Sequence, residues 1–347
     1  MQPVTPSQPA PWLSVLVPVY NVGAYVGPCI DSILAQAIEG VEILLLDDGS
    51  TDDSPRICEA RCAQHARSMR LLRHAGNRGL SIARNTLLEA AAGRYCWFLD
   101  SDDEMLPGAI AALRAIVDAH APDMILCDYH EQQRALDGFS GSARTLSTDR
   151  EALVRGIFES RRMYIWNHIA RRETWGDLRF PAGRYFEDIM TTPWLCLRAR
   201  SFFYADQPWI RYRLRGDSIM STATRDHSRF NQRMNDDLAG ALAGFHAAAT
   251  ASLPPLSNPT QLAIANFCAR NFTDMAWRLL RARLFKDGWK TVHGELQRYR
   301  ATIEQEVPSG FASVAHRPLR EMRIKRWIGQ VLALALTSRV RATARTA

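Results

Sequence analysis

The chain has 347 residues, of which 47% are hydrophobic and 9% aromatic. This length accommodates one large α/β domain with an appendage or two modest domains, and this composition excludes a largely disordered protein. The formal net charge is +7, and residues 316–347 account for all of it, with eight Lys or Arg against Glu321 alone. A neutral body argues against a nucleic-acid groove, so we expect no nucleic-acid partner.

The two ends and the cysteines bear on the compartment. Residues 1–11 carry four prolines and no charge, which predicts a flexible arm rather than a signal peptide. No run approaches the roughly 18 apolar residues of a membrane-spanning helix. The seven cysteines are scattered and odd in number, which is typical of reduced thiols in a cytoplasmic protein. Cys58 and Cys62 lie one helical turn apart without a second pair, which argues against a zinc site.

Apolar runs and the segments between them predict the fold of the first 130 residues. Strands are predicted at 12–17, 41–46, 70–73, 95–99 and 123–128, and helices at 28–37, 54–66, from 77 to about 92, and at 107–118. Pro18 to Asn21 is expected to break the first strand. A β-α-β order with glycine-bearing loops predicts an α/β fold with an open, mainly parallel sheet, in which ligands gather at the carboxyl ends of the strands.

Three acids follow the apolar run 95–99, namely Asp100, Asp102 and Asp103. Burying three carboxylates together is costly unless a cation or hydrogen-bond donors compensate them. Mg²⁺ and Mn²⁺ take carboxylate oxygens and share their ligand shell with a diphosphate, so this cluster predicts a metal-bridged nucleotide site. The alternative is a solvated acidic turn in which Asp102 caps the next helix.

A glycine near a helix start marks residues 77–85. The amides around Gly79 can face an anion there, and Arg84 can add a positive charge. The same pattern also occurs in ordinary loop-to-helix junctions.

Four ordered segments resemble the signatures of family 2 glycosyltransferases, the inverting enzymes with a GT-A fold. They are 18–21 (PVYN), 47–52 (DDGSTD), 79–85 (GLSIARN) and 100–103 (DSDD), and together they span about residues 12–130. The resemblance continues more loosely to about residue 221 through 166–167, 184–188 and 213–221. It implies a Rossmann-like, mainly parallel mixed sheet flanked by helices, with a C-terminal helical extension.

The resemblance also assigns a donor site. The Asp48 carboxylate is expected to accept from the N3–H of uracil, and an aromatic ring at Tyr20 is suited to stack on the base. Asp100 and Asp102 are expected to contact sugar or ribose and to hold Mn²⁺ or Mg²⁺, which offsets the charge of the leaving diphosphate. The remaining predicted donor-site residues are Pro18, Asn21, Gly79, Arg84 and Ser101.

The catalytic assignment rests on the segment 184–188, in which Asp188 matches the aspartate of the family's Glu-Asp motif. An acceptor hydroxyl is a poor nucleophile until a base takes its proton, and Asp188 is predicted to be that base. Glu187 is expected to bind acceptor hydroxyls or to cap the next helix. The alternative makes both residues helix-start acids. The remaining acceptor or auxiliary candidates are Trp166, Asn167, Asp103, Arg213 and Arg215.

Arg215 stands where many members of the family carry a histidine. If that histidine is a metal ligand in relatives, a metal bound here has fewer protein ligands. Arg215 then either contacts the diphosphate directly or is a solvated surface arginine.

The predicted domains are an arm (1–11), a glycosyltransferase domain (12–225), a helical extension (226–315) and a basic tail (316–347). The second of these divides into a nucleotide-binding half (12–128) and an acceptor half (129–225), in which 131–160 carry little signal. Helices are predicted at 229–250, 259–285 and 286–306. The apolar set of the tail, from Met322 to Leu336, and its basic residues predict either an amphipathic helix in an anionic interface or a terminal helix docked on its own domain.

The resulting prediction is a metal-dependent inverting glycosyltransferase. It is expected to move a sugar from a nucleotide-diphosphate donor, a UDP-sugar, to a hydroxyl of a glycan or lipid-linked acceptor in bacterial polysaccharide or glycolipid synthesis, at the inner face of the cytoplasmic membrane. One alternative is a nucleotidyltransferase, although no glycine- and basic-rich loop follows the first strand. The other is a nucleotide-sugar-binding protein without turnover, which the presence of Asp188 disfavours.

Overall fold

A computed structural model describes residues 10–131, 134–135, 139–214, 231–307, 309–315 and 324–337. The chain divides into two compact units, residues 1–214 and 215–347. Arg215, the rest of the segment to residue 221, and both ends of the basic tail lie outside the described residues. The predicted domain boundaries at 225 and 315 stay predictions.

The first unit alternates strands and helices along its first 120 residues. Its strands are β1 (Leu13–Val19), β2 (Val41–Asp47), β3 (Met69–Arg73), β4 (Tyr95–Phe98), β5 (Glu104–Met105), β6 (Met124–Glu131), β7 (Arg134–Ala135), β8 (Leu146–Ser147), β9 (His168–Arg171) and β10 (Phe202–Tyr212). Its helices are α1 (Gly23–Leu34), α2 (Ser54–Gln64), α3 (Leu80–Ala90), α4 (Ala109–His120), α5 (Arg150–Ser160), α6 (Arg172–Trp175) and α7 (Thr192–Arg198).

These strands form one mixed sheet in the order β3-β2-β1-β4-β9-β6-β10-β5, with β7 and β8 paired to β6 and β10. Strands β1 to β4 are parallel, and β9 runs antiparallel between β4 and β6. The predicted Rossmann-like, mainly parallel mixed sheet is therefore confirmed. Leu13 pairs with both Val41 and Tyr95, so the carboxyl ends of β1, β2 and β4 meet at one edge of the sheet.

The central strands are buried on both faces. Val15, Leu16, Ile43, Leu44 and Trp97 are all fully buried, although neighbours along a strand point to opposite sides of the sheet. Continuous apolar runs of this kind are typical of parallel strands that are covered by helices on both faces. The core therefore holds the carboxyl edge of the sheet rigidly.

Strand β1 continues through Pro18, which was expected to break it. The N–H and C=O of one strand residue point toward the same neighbouring strand, and the residue two positions later points toward that same strand. The carbonyl of Leu16 accepts from Leu99 on the β4 side, so the nitrogen of Pro18 also faces that side. Because β4 ends at Phe98, the missing N–H of Pro18 interrupts no hydrogen bond of the sheet.

Two helices also differ from prediction, the first for a non-local and the second for a local reason. Helix α1 begins at Gly23 rather than at residue 28, because its first amides bind side chains of the loop after β2: Val22 donates to the Ser54 hydroxyl at 2.9 Å, and Gly23 donates to Asp52 at 2.7 Å. Helix α5 lies in the segment that carried little sequence signal, and the carboxylate of Asp149 caps it by accepting from Ala152 at 2.9 Å.

The second unit is helical. Its helices are α8 (Gln232–Gly240), α9 (Phe245–Ser252), α10 (Asn258–Glu304) and α11 (Ile324–Thr337). Gly288, with φ of +77°, interrupts α10 close to the predicted boundary between 285 and 286. The single helix predicted at 229–250 is instead two helices, because the chain turns at Gly244, with φ of +80°.

Helix α11 packs on α10 within this unit. The indole N–H of Trp277 donates to the carbonyl of Gly329 at 3.1 Å, and the Arg300 guanidinium donates to the carbonyl of Leu334 at 2.9 Å. Of the two alternatives predicted for the tail, a terminal helix docked on its own domain thus describes the face of α11 that contacts α10. Within the described part of the chain, no helix is both long and apolar enough to cross a membrane.

Candidate active site

The loops after β1 and β2 are tied together at the carboxyl edge of the sheet. The side-chain oxygen of Asn21 accepts from the backbone of Thr51 at 2.8 Å, and the backbone of Asn21 donates to the Ser50 hydroxyl at 3.1 Å. Asn21 adopts a φ of +50°, which asparagine tolerates better than most residues. The preceding Tyr20 is left 44% exposed, as a ring that stacks on a nucleobase would be.

The carboxylate of Asp48 is buried and already has protein partners. It accepts from the backbone of Gly79 at 2.8 Å and of Arg78 at 3.0 Å, and it lies 2.6 Å from Nδ1 of His74. A carboxylate offers roughly four lone-pair directions. Asp48 therefore anchors the loop before α3 and retains capacity for about one further donor.

A glycine in the loop after β2 and a glycine in the loop before α3 matter for different reasons. Gly49 has a φ of +74°, and a Cβ there would lie 2.6 Å from the backbone of Gly76, so only glycine allows the two loops to meet. Gly79 has a φ of +89°, and a Cβ there would meet nothing within 4 Å. The first turn of α3 thus begins beside open space.

The three acids after β4 form a compact carboxylate cluster. One oxygen from each of Asp100, Asp102 and Asp103 lies within 4.8 Å of the others. Asp103 is fully buried; one oxygen accepts from the backbone of Arg213 at 2.9 Å, and the other has no hydrogen-bond partner among the described residues. Burial, followed by repulsion from Asp100 and Asp102, raises the pKa of Asp103 to about 9.

This cluster fits a hard divalent cation, because an orphaned buried oxygen and two adjacent carboxylates are the ligands that Mg²⁺ and Mn²⁺ prefer. The capping alternative for Asp102 is excluded, since α4 begins at Ala109 and Gly108 occupies its N-cap position without a side-chain cap. Ser101 is buried within the cluster. The guanidinium of Arg213 pairs with the carboxylate of Glu104, so in this structure its positive charge is balanced within the protein.

Arg84 is the electrostatic centre of the site. The motif predicts that it faces a bound anion, but the residue is 1% exposed and donates to three protein carboxylates. One terminal nitrogen lies 2.7 Å from Asp188 and 2.9 Å from Glu187, and the other lies 2.9 Å from Asp100. Its guanidinium also packs 5.3 Å from the ring centroid of Phe180. Arg84 therefore joins the carboxylate cluster to the Glu-Asp segment.

The pKa of Asp188 is raised to about 7 in total. Burial is the largest cause, the positive charge of Arg84 lowers the pKa, and the negative charges of Glu187 and Asp100 raise it. Both acids point to Arg84, so neither caps α7; only the backbone carbonyl of Asp188 accepts from the amide of Thr192, at 2.8 Å. Phe186 just before them has a φ of +59°, a strained backbone for an aromatic residue. The turn that presents Asp188 is thus held by tertiary contacts.

Trp166 and Asn167 lie in a short 3₁₀ turn and are both buried. Trp97 donates to the carbonyl of Trp166 at 2.9 Å, and neither polar atom of the Asn167 side chain has a hydrogen-bond partner among the described residues. Because Trp166 is 2% exposed, it does not present its ring to solvent as an acceptor contact would. Tyr164, two residues earlier, presents its ring instead.

Sequence reasoning missed three features of this site. His74, which holds Asp48, follows directly after β3 and so shares the strand-end position that singled out the aspartates. Tyr164 belongs to no motif that the sequence reasoning used, and no local signal places it near Asp188. Tyr212 directly precedes the segment 213–221, whose resemblance singled out Arg213 and Arg215 rather than this ring. The orphaned oxygen of Asp103 depends on burial, which the acidic run alone does not reveal.

The Rossmann-like mixed sheet carries acidic loops at its carboxyl edge and, beside them, a carboxylate of raised pKa. This arrangement is suited to a bound nucleotide and to proton transfer. The chain matches glycosyl transferase family 2 over residues 14–177. It is 29% identical to the glycosyltransferase GlyG of Streptococcus pneumoniae over 221 residues, which make up 60% of this chain and 73% of that protein. The matched region spans between 31% and 73% of the length of three curated relatives.

Solved structures confirm the GT-A fold. S. aureus TarS 1–349 in complex with UDP-GlcNAc has a TM-score of 0.68 at 19% identity, over 94% of this chain and 90% of that one. The mannosyltransferase PcManGT from Pyrobaculum calidifontis, in complex with GDP-Man and Mn²⁺, has a TM-score of 0.54 at 17% identity, over 94% of this chain and 87% of that one. At these identities the similarity establishes the architecture alone.

Proposed function

We propose that this protein transfers a sugar, with inversion at the anomeric carbon, from a UDP-sugar to an acceptor hydroxyl during bacterial polysaccharide or glycolipid synthesis. The observation that carries the proposal is the link through Arg84, which joins the carboxylate cluster suited to a metal-bound diphosphate to a carboxylate whose pKa is near neutral. The match of residues 14–177 to glycosyl transferase family 2 and the UDP-GlcNAc named with TarS support the choice of donor.

In this proposal the protein's residues position the donor and move one proton. Tyr20 stacks on the base, and Asp48 uses its remaining lone pair for the base N–H. Asp100, Asp102 and Asp103 would hold Mn²⁺ or Mg²⁺, which would offset the charge that develops on the leaving diphosphate. Asp188 takes the proton of the acceptor hydroxyl as the oxygen attacks.

A panel of nucleotide sugars with Mn²⁺ tests the proposal directly. We expect sugar transfer or slow donor hydrolysis, with release of UDP. Release of pyrophosphate would instead identify a nucleotidyltransferase, and binding without any release would identify a sugar-nucleotide-binding protein.

The first prediction concerns the metal. We expect UDP to bind at least about tenfold more weakly in EDTA than with Mn²⁺ or Mg²⁺, and Asp102→Ala to produce a similar loss, because even partners outside the first ligand shell are worth about 10- to 100-fold in metal affinity. Calorimetry of UDP binding measures both. Asp118→Ala, an exposed acid that pairs with Arg114, is the matched control. Equal affinity with and without metal would contradict the assignment.

The second prediction concerns pH. Asp188 accepts a proton only when it is ionised, so the rate should rise with pH through its pKa, which lies at about 7. The negative charge of Glu187 raises that pKa, and Glu187→Gln removes this influence. We therefore expect the acid limb of the kcat profile to move to lower pH in this variant. The exposed acid Glu173 provides a matched control as Glu173→Gln; a limb that stays in place or moves upward speaks against the assignment.

The third prediction extends the proposal to the membrane. The face of α11 opposite α10 exposes Ile328, Leu332 and Leu336, at 46%, 45% and 36%, and residues 316–347 carry a net charge of +7. An apolar stripe with basic flanks is suited to an anionic bilayer surface. We propose that this face holds the enzyme at the inner face of the cytoplasmic membrane.

Cosedimentation with vesicles that contain phosphatidylglycerol measures this attachment. Changing Ile328, Leu332 and Leu336 together to serine should reduce the bound fraction severalfold, because it removes the apolar area that the bilayer surface would bury. High salt should also reduce it. The control changes Ile38 and Leu146, two similarly exposed apolar residues of the first unit, to serine. Undiminished binding of the triple variant would mean that this face is not the anchor.

A further inference from the structure

Tyr164, Trp166 and Tyr212 form a column of aromatic rings. The rings of Tyr164 and Trp166 are stacked, with centroids 5.1 Å apart and planes inclined by 12°. Trp166 in turn stacks on Tyr212 at 5.9 Å and 16°. The ring of Tyr129 is perpendicular to that of Trp166, with centroids 4.7 Å apart. Trp166 is buried at the centre, whereas Tyr164 at the end of the column is 46% exposed.

The backbone around Tyr164 is fixed on both sides. The carbonyl of Met163 accepts from the Thr192 hydroxyl at 2.8 Å, and the carbonyl of Tyr164 lies 2.8 Å from Nδ1 of His168. The ring is therefore a fixed, preformed surface, and holding it costs no further conformational entropy when a ligand binds.

Tyr164 lies next to the proposed base. The backbone of the following residue, Ile165, forms a hydrogen bond to Asp188 that lowers the pKa of that carboxylate. The pKa of Tyr164 is raised by burial, lowered by Arg161 and raised by the charge of Asp188, which places its hydroxyl within electrostatic reach of the base. The Thr192 hydroxyl also binds the carbonyl of Met163, and the Thr192 amide binds the carbonyl of Asp188. A ligand on the open face of Tyr164 would hence lie close to the segment that carries the proposed base.

We infer that the open face of Tyr164 is the acceptor subsite and that the acceptor presents a pyranose ring there rather than an acyclic polyol. The C–H bonds on one face of a pyranose carry partial positive charge, and the face of an aromatic ring carries partial negative charge. A flat, rigid ring can cover one face of a sugar, whereas an acyclic chain offers no such face. This inference rests on the proposed function and names the acceptor class for the same site.

A binding experiment tests the inference without any donor sugar. Saturation-transfer NMR is recorded with UDP and Mg²⁺ present, using methyl glycosides of glucose, galactose and N-acetylglucosamine, with glycerol and ribitol as acyclic probes. We expect at least one glycoside to bind the wild-type protein and Tyr164→Phe, which keeps the ring. Binding should weaken about tenfold in Tyr164→Ala, which loses the stacking surface.

Kinetics with the active donor provide the second measurement. Tyr164→Ala should raise KM for the best glycoside about tenfold and leave UDP affinity unchanged, whereas Tyr164→Phe should keep KM near wild type. Unchanged glycoside binding in Tyr164→Ala, binding of the polyols alone, or no glycoside binding to the wild-type protein would each overturn the inference. Absence of UDP release with any donor would instead defeat the proposed function and leave the binding result to stand by itself.

Discussion

Replacing Asp188 with asparagine should lower kcat by roughly 10²- to 10⁴-fold, the usual contribution of general base catalysis. The amide is the same size as the carboxylate, and its oxygen can still accept from Arg84, which now lies 2.7 Å from the carboxylate. Because the substitution removes one of three negative charges around a single arginine, we expect no loss of stability. The defect should therefore be purely catalytic.

Steady-state rates and UDP calorimetry on the same preparation measure this effect, and UDP affinity should stay near wild type. Asp177→Asn is the matched control, since that aspartate is exposed and pairs with Arg198 on the surface. Retained turnover in Asp188→Asn would move the base elsewhere. A large loss in Glu187→Gln would then make Glu187 the base, because it shares the same nitrogen of Arg84.

Replacing Arg84 with methionine should lower the free energy of unfolding by about 3 kcal/mol and abolish activity. Removing one partner of a buried ion pair typically costs about 3–5 kcal/mol because a charge is left buried and unpaired. The carboxylates of Asp100, Glu187 and Asp188 keep part of their surface in water, so we expect the lower end of that range. Loss of the cation should also raise the pKa of Asp188, since Arg84 lowers it.

Urea unfolding of a double-mutant cycle isolates this effect. Arg84→Met combined with Asp188→Asn should be more stable than the sum of the single changes, because the neutral amide leaves one fewer unpaired charge. Arg61→Met is the matched control: Arg61 binds both oxygens of Asp31 at 2.7 and 2.8 Å, but on the surface, where such pairs are worth about 0–1 kcal/mol. Arg84→Met with wild-type stability, or strict additivity in the cycle, would show that Arg84 does not balance these carboxylates.

Periodicity and turn chemistry determine most of the first unit. Continuous apolar runs predict β1, β2 and β4 because parallel strands covered on both faces contain no polar alternation. The acids and glycines directly after those runs predict the site, since the carboxyl ends of parallel strands meet at one edge. The start of α1 cannot be predicted in this way, because the side chains that bind its first amides, Asp52 and Ser54, lie beyond β2 at the start of α2.

Only the tertiary structure decided how the site residues use their charges. The sequence by itself determined the fold and the sheet and singled out Asp48, Asp100 and Asp188, since each depends on local pattern and motif. It did not reveal that Arg84 is buried among three carboxylates or that Tyr164 rather than Trp166 is exposed. Burial and pairing depend on contacts between residues as far apart as Asp103 and Arg213, which are separated by 110 positions, and no local pattern in the chain encodes such contacts.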